Sequence, residues 1–486
     1  MKTKLLLVAI SAFLNFTTLT GQVNWNPAID VASNAFGNYF PRIVTDRAGN
    51  PLVIWGDAGK LYFSRWNGNN FQAPVQLNPS DIDVATFSWM GPDIASYGDT
   101  VYCVYKQVPQ NLITSHIWIV SSWDGGLTFN SPVQVENIAD SLSSFAVVTA
   151  DDSGRPVVGF MKFDPGLANP RWVASRSVDY GNTFSTDVLA SGWSSPTSIV
   201  CDCCPGGIIA SGNKVAVMYR DNDSDIRDTW VGVSADGGSS FSAGMNVDQQ
   251  NWNLTYCPSS GPDGVIIGDT LYTVSMNGAS GIPRVYFNRS SLVNVLSSTG
   301  NLLTGNIQGL QQQNFVRIDH SGQTAAIVWK QVVSGENQIV ALFTNDISSG
   351  FPAVFDTVAI NNVDKADVAL SDDNIYVVWQ DDNSNTVKFR SGTYSSTGLA
   401  KSTQGIKSLS VYPNPADHEW HISGGIGNRD VLINLFNSNG KIVYSDFIAH
   451  RESHTLIIDN NELSDGLYLL KITSPHGSIT RKLIKE

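Results

Sequence analysis

The sequence predicts an all-β protein, a β-propeller followed by a small β-sandwich, and three observations lead there. Only 15% of the 486 residues are charged, whereas 10% are aromatic and 42 are glycine, a composition of turns and half-buried strands, not of coiled coil or disorder. Strand-like segments recur: PLVIWGD, TVYCVYKQ, RPVVGFMK, KVAVMYRD, TLYTVSMN, TAAIVWKQ and NIYVVWQD set Trp55, Tyr105, Met161, Tyr219, Ser275, Trp329 and Trp379 in corresponding positions, 50 to 58 residues apart. A near-constant period of that size, with room for four short strands per unit, is that of propeller blades. Residues 407–486 leave this period and alternate in short strands of their own, with turns at Asn439-Gly440 and Asp465-Gly466.

Taken in chain order, residues 1–22 open with Lys2 and Lys4, run through apolar Leu5 to Leu14 and reach small and polar residues at Thr17 to Gly21. This is the pattern of a secretory signal peptide, too short in its apolar part to span a bilayer. No later stretch is apolar for long enough to cross a membrane, so no transmembrane segment is expected. The propeller is assigned to residues 23–396. Its opening segment VNWNPAIDVAS looks like outer strands such as FNSPVQVEN, and the seventh unit stops early, near Ser395. Pairing the two ends would complete the last blade and remove a sheet edge, which favours seven blades over six. A Ser/Thr/Gly-rich stretch follows, with the linker at 397–406. The 43 acidic residues against 30 basic ones leave a charge of −13, which argues against nucleic acid as the partner.

Three turns within the units read Ser-x-Asp-x-Gly-x-Thr/Ser-Phe: Ser122, Asp124, Gly126, Thr128 and Phe129; Ser177, Asp179, Gly181, Thr183 and Phe184; Ser234, Asp236, Gly238, Ser240 and Phe241. They resemble Asp-box, or BNR, repeats. In that reading the Asp accepts backbone N–H groups, the Gly takes a positive φ and the Phe packs between blades, so these acids are structural. The resemblance makes the propeller sialidase-like. In the C-terminal region, YPNP at Tyr412 to Pro415, NGK at Asn439 to Lys441, DGLY at Asp465 to Tyr468 and the basic ending at Lys482 and Lys485 resemble the C-terminal sorting domain of the type IX secretion system. That resemblance implies contact with the type IX machinery and a secreted or outer-surface location in a Gram-negative bacterium.

The boxes belong between third and fourth strands, so ligand chemistry is expected on the opposite face, where second strands end. The residues there are Asp57, Lys106, Lys162, Arg220, Asn277, Lys330 and Gln380. Four cations among seven equivalent positions suit an anionic carbohydrate, and wet strand ends that favour lysine suit them equally. The fourth unit adds Asp202, Asp221, Asp228 and Arg227 through CDCCPGG and YRDNDSDIRDTW. A sialidase resemblance implies an arginine clamp on a sugar carboxylate, here Arg42, Arg220 and Arg227, with Asp202, Asp221 or Asp228 moving the proton. The sialidase order, an aromatic followed by Arg-Ile-Pro, is altered to YFPRIVTD, where Arg42 follows the proline. A non-catalytic adhesin remains open, as does a polysaccharide lyase on uronic-acid glycans using a histidine such as His116. No cofactor is called for. Cys103 sits in an apolar strand and reads as a buried thiol. Cys201, Cys203, Cys204 and Cys257 begin adjacent units and are expected to form two disulfides, with a cysteine-ligated metal as the alternative.

Overall fold

The seven recurring segments become the second strands of seven antiparallel sheets among the described residues: Pro51–Asp57, Thr100–Lys106, Pro156–Asp164, Lys214–Asn222, Thr270–Asn277, Thr324–Val333 and Asn374–Asp381. Their runs of apolar residues are buried on both faces, as strands sandwiched between neighbouring sheets must be. The computed structural model describes residues 23–136, 141–394, 410–423, 431–437, 441–448, 455–474 and 477–486. The signal at 1–22, the linker and the Asn439-Gly440 turn lie outside them. The chain divides into two compact units, Met1–Thr397 and Gly398–Glu486.

In the first unit each sheet runs inner, second, third and outer strand. The inner strands Tyr39–Thr45, Asp93–Tyr97, Leu142–Ala150, Gly207–Ser211, Asp263–Ile267, Leu310–Ser321 and Val363–Leu370 are neighbours in a closed circuit, the seventh returning to the first. This is a β-propeller. Trp55, Trp172 and Trp329 are wholly buried, each contributing on the order of 3 kcal/mol of transfer free energy. Closure uses the chain ends: Asn24 and Trp25 pair with Thr393 and Gly392, and Ile29 and Asp30 with Phe389 and Lys388. Lys388 Nζ reaches Asp30 at 2.8 Å, and Arg390 Nε donates to the Asn26 carbonyl at 2.8 Å. The seventh sheet therefore has no bare outer edge.

The Asp boxes are built as the sequence implied. Asp124 accepts from the Thr128 N–H at 2.9 Å and the Thr128 hydroxyl at 2.6 Å, while Ser122 Oγ accepts from the Gly126 N–H at 2.9 Å. Asp179 and Asp236 repeat the pattern. Gly126 has φ +80°, and a Cβ there would meet the Phe63 ring at 2.6 Å, so only glycine fits. Phe129 packs on Phe63 of the preceding blade at 4.8 Å.

Four inner strands carry a bulge near their start, between Tyr39 and Arg42, Ser144 and Val147, Asn314 and Arg317, and Asp364 and Ala366. At each bulge a side-chain-bearing residue takes a left-handed conformation: Phe40 at φ 51°, Phe145 at 54°, Phe315 at 54° and Lys365 at 37°. Such strained bulges re-aim side chains and gather at functional sites.

The second unit has one sheet of Ser410–Tyr412, Glu419–Ser423 and Thr455–Asp459, and another of Ile442–Ile448, Val431–Asn437, Gly466–Ser474 and Gly477–Lys485. Trp420, Ile422, Ile433, Leu435, Ile458, Leu470, Ile472 and Leu483 are fully buried together, making it a small β-sandwich.

Deleting residues 23–31 leaves the edge of Thr386–Thr393 unpaired. The truncated chain is expected to melt several degrees below the intact one and to aggregate on heating; equal melting curves in differential scanning calorimetry would refute the closure.

Candidate functional site

Strand direction puts the Asp boxes at one end of the propeller and the second-strand termini at the other. The cations at those termini are nonetheless not brought together. Lys106 is buried, donating to the Ser115 carbonyl and to Ser143 Oγ, and burial pulls its ammonium down to about 8. Lys162 is neutralised by Asp187 at 3.1 Å, and Lys330 by Asp364 at 3.3 Å. Arg220, 1% exposed, spends its fork on the carbonyls of Ser260, Arg227 and Met276 and stacks 5.3 Å from the Trp252 ring. Arg227 Nε donates to the Leu254 carbonyl at 2.7 Å. The physical reason is topological: second strands lie one layer out from the axis, so their ends fall between blades.

The expected proton-transfer group is also dispersed. Asp202 is exposed. Asp228, fully buried, accepts from Asn246 Nδ2 at 2.9 Å and from the N–H groups of Asn251 and Trp252 at 3.0 Å, the bonding of a structural carboxylate. Asp221 is buried with Oδ1 unpartnered, and burial pushes its carboxyl up to about 7.

A different set occupies equivalent positions of the inner strands, one strand inward. In chain order these residues are Arg42, Asp93, Val147, Gly207, Asp263, Arg317 and Asp367. Arg317 sits among three carboxylates, 3.0 Å from Asp367, 3.4 Å from Asp263 and 3.9 Å from Asp93; Arg42 Nε is 3.6 Å from Asp93. Burial opposes the charge on Arg317, but Asp263, Asp367 and Asp93 outweigh it and hold the guanidinium above its usual range. Burial raises the carboxyls of Asp93 and Asp263, offset in part by Arg317.

Beside this ring opens a pocket lined by Phe40, Arg42, Trp89, Phe315, Arg317 and Lys365, with Pro205, Gly206 and the 259–262 segment completing its wall. Its enclosed volume is about 40 Å³, so a ligand larger than a few waters sits in the mouth and not within. Lys365 Nζ lies 3.3 Å from the centre of the Phe315 ring and 5.4 Å from that of Phe40. Of the residues expected to bind substrate, Arg42 alone lines this pocket. Arg317, Lys365 and Asp93 were missed, although the parallel phrases FPR, FVR and two copies of GPD mark the ring in the sequence.

The cysteines meet in a loop that interrupts the fourth inner strand. Val200 and Gly207 both pair with Lys214–Asn222, leaving 201–206 looped out. Cys203 is disulfide-bonded to Cys257, while Cys103, Cys201 and Cys204 are buried thiols. One of the two expected disulfides is therefore formed.

Residues 410–486 match the family described as the secretion system C-terminal sorting domain. The chain ends in a sorting domain. It directs the propeller out of the cell, to the outer surface or beyond. No described helix is long and apolar enough to cross a membrane. No curated protein matches the sequence. Solved structures similar to this chain include an ulvan-type polysaccharide lyase bound to a GlcA-Rha3S saccharide, at 12% identity and TM-score 0.49, covering 75% of this chain and 95% of that one. A protein of unknown function from Dyadobacter fermentans is 10% identical with TM-score 0.45, covering 77% and 99%. A mutant Trypanosoma rangeli sialidase is 11% identical with TM-score 0.42, covering 92% and 83%.

Replacing Arg317 by Met strands three carboxylates in a desolvated ring, at a cost of about 3–5 kcal/mol at pH 7. Carboxyls whose folded pKa is raised stabilise the fold when protonated, fully below their unfolded value of 3.8, and lose that contribution as pH rises through the folded value. The deficit of Arg317→Met should therefore shrink between pH 7 and pH 5 in urea titrations. Midpoints equal to wild type at both pH values would remove this role.

Proposed function

We propose that the propeller binds an acidic saccharide outside the cell, with the carboxylate or sulfate ester of the sugar held at the axial pocket. The observation that carries this reading is the state of Arg42. Among the described residues its guanidinium makes one hydrogen bond, 3.2 Å from Nη1 to the Pro41 carbonyl; its Nε is buried 3.6 Å from Asp93, beyond hydrogen-bond reach, and it lies in the pocket wall. A guanidinium short of acceptors favours a planar oxyanion that can take two parallel N–H groups. Phe40, Trp89 and Phe315 supply apolar faces against which a sugar ring can pack. Lys365, which shares Asp364 with Lys330 and lies 3.1 Å from that carboxylate, adds a second cation beside them.

Recognition is better supported than sialidase-type hydrolysis. Such hydrolysis needs a nucleophile and a proton donor at one locus, and none of Asp202, Asp221 and Asp228 lines the pocket. One feature favours a second reading, elimination from a uronate. Burial, opposed by Asp364, draws the Lys365 ammonium down to about 8, close to what a base needs to take the proton next to a carboxylate that Arg42 neutralises. His116 is not part of that wall; it lies 3.6 Å from Glu136 and 3.2 Å from Gln134.

Isothermal titration with a polyuronate, a sulfated polysaccharide and a neutral glucan tests the reading. Binding of one acidic polymer and not of the glucan is expected, with Arg42→Ala weakening it about tenfold or more, the effect of losing a charged hydrogen-bond pair. Equal binding by Arg42→Ala, or none to any acidic polymer, would overturn it. Growth of the ultraviolet absorbance of an unsaturated uronate, lost in Lys365→Met, would establish the second reading.

A further inference from the structure

The loop 201–206 and the segment 257–262 ahead of the fifth inner strand bring four of the five cysteines together, with all four sulfurs within 4.8 Å of one another. Cys203 and Cys257 are bonded. Cys201 Sγ lies 3.0 Å from Cys204 Sγ and 3.6 Å from Cys203 Sγ. Cys201 and Cys204 are sealed from solvent at 0% and 1% exposure, whereas Cys203 and Cys257 are half-buried.

The surroundings make Cys201 a nucleophile. Arg227 Nη1 donates to its sulfur at 3.1 Å. Arg220 lies in the same buried region with its N–H groups on main-chain carbonyls. Buried cations favour an adjacent anion, and a thiolate supplies one. A hydrogen bond from Cys204, together with Arg220 and Arg227, lowers the Cys201 thiol, while burial raises that of Cys204. The Cys201 sulfur thus lies against the Cys203 sulfur of a disulfide, with the Cys204 thiol on its other side.

We propose that Cys201 and Cys204 are a second disulfide site, closed by exchange through the Cys203–Cys257 bond. The Cys201 thiolate attacks the Cys203 sulfur, forming Cys201–Cys203 and releasing the Cys257 thiolate. Cys204, giving up its proton, then attacks Cys201, forming Cys201–Cys204 and releasing the Cys203 thiolate; the bond has moved with no net oxidation. An external disulfide, small or borne on a protein, next accepts attack by the half-buried Cys257 thiolate and loses one thiolate. Cys203 displaces the other and restores Cys203–Cys257. Overall the Cys201 thiolate and the Cys204 thiol lose two electrons and one proton, and one external disulfide becomes two thiolates, one taking the Cys204 proton and the other a proton from solvent. The relay is required because burial bars the oxidant from Cys201 and Cys204 directly. Pro205, Gly206 and the 259–262 segment line the axial pocket, so the completed pair of bonds fixes two of its walls. This inference is independent of the saccharide reading.

The test uses folded, full-length protein incubated with oxidised glutathione, quenched in acid, alkylated under denaturing conditions and mapped by mass spectrometry. Thiols should fall from three (Cys103, Cys201 and Cys204) to one, with a Cys201–Cys204 peptide appearing; protein isolated with that peptide already present also supports the site. Cys204→Ser should accumulate Cys201–Cys203, with Cys257 free or bound to glutathione. In Cys203→Ser/Cys257→Ser, shown folded by circular dichroism, closure of Cys201–Cys204 should slow at least tenfold. If that double variant fails to fold, the wild-type and Cys204→Ser maps decide. Three persistent thiols, equally fast closure in the folded double variant, or five thiols with a bound metal ion would each overturn the proposal.

Discussion

Inner strands of a propeller face a problem that flat sheets do not have. Neighbouring blades pack face to face without sharing a ladder, so backbone N–H groups near the axis need acceptors from outside their own sheet. Here carboxylates supply them. Asp93 accepts from the Val148 N–H at 3.0 Å, Asp263 from Ile318 at 3.0 Å, Asp319 from Leu370 at 2.7 Å and Asp367 from Ile43 at 3.0 Å, each reaching from one inner strand to the next. Thr149 does the same for Ala210 with a hydroxyl at 3.1 Å. Five of the seven junctions between inner strands are thus stitched by side chain to backbone N–H, and the stitch from Asp367 to Ile43 joins the seventh inner strand to the first.

The charge at the axis follows from this stitching. A carboxylate that satisfies a backbone N–H with one oxygen presents the other to the interior, and three such groups in a desolvated ring require positive charge. Arg317 takes that position between Asp263 and Asp367, with its Nε 3.4 Å from the first and 3.0 Å from the second. Arg42 stands farther from its one carboxylate, at 3.6 Å, and keeps a donor without an acceptor. Two arginines at equivalent points of the repeat are therefore placed differently: one sits among three carboxylates, the other beside one, in the pocket wall. The strained bulges at Phe40, Phe315 and Lys365 set the pocket wall immediately beside it.

The propeller, the Asp boxes and the pairing of the chain ends were legible in the sequence because each is local or periodic. Alternation marks a strand, Ser-x-Asp-x-Gly marks a turn, and a repeated period marks a blade, all without knowledge of what lies across the axis. The site was legible only in part. Lys106, Lys162, Arg220 and Lys330 form a true column of the repeat, and the column lies on the expected face. Column membership fixes height along the axis but not radius, and these residues lie at the radius where blades meet. Arg42, Asp93, Asp263, Arg317 and Asp367 form another column one strand inward. The charge-dense fourth unit commits Arg220, Arg227 and Asp228 to internal hydrogen bonds, mostly with the main chain, while Asp202 is exposed and Asp221 is buried apart from the pocket. Pairing of Cys203 with Cys257 was open to sequence only as one of several possibilities, because the break in the fourth inner strand that presents Cys203 has no local signal.

A net charge of −13 repels a polyanion at long range, so recognition of an acidic polymer cannot rest on steering. Beyond a Debye length of about 8 Å at physiological salt that repulsion is screened, whereas partly buried groups are screened far less. Attraction must then come from contact. The architecture suits this, since the box acids Asp124, Asp179 and Asp236 project at the far end of the propeller and their oxygens are already engaged by hydroxyl and N–H donors. At the near end the axial carboxylates are turned toward Arg317 and the backbone. In the proposed reading an acidic sugar at the mouth would face Arg42 and Lys365 in the pocket wall, and the low dielectric of the Phe40, Trp89 and Phe315 side chains would strengthen that contact.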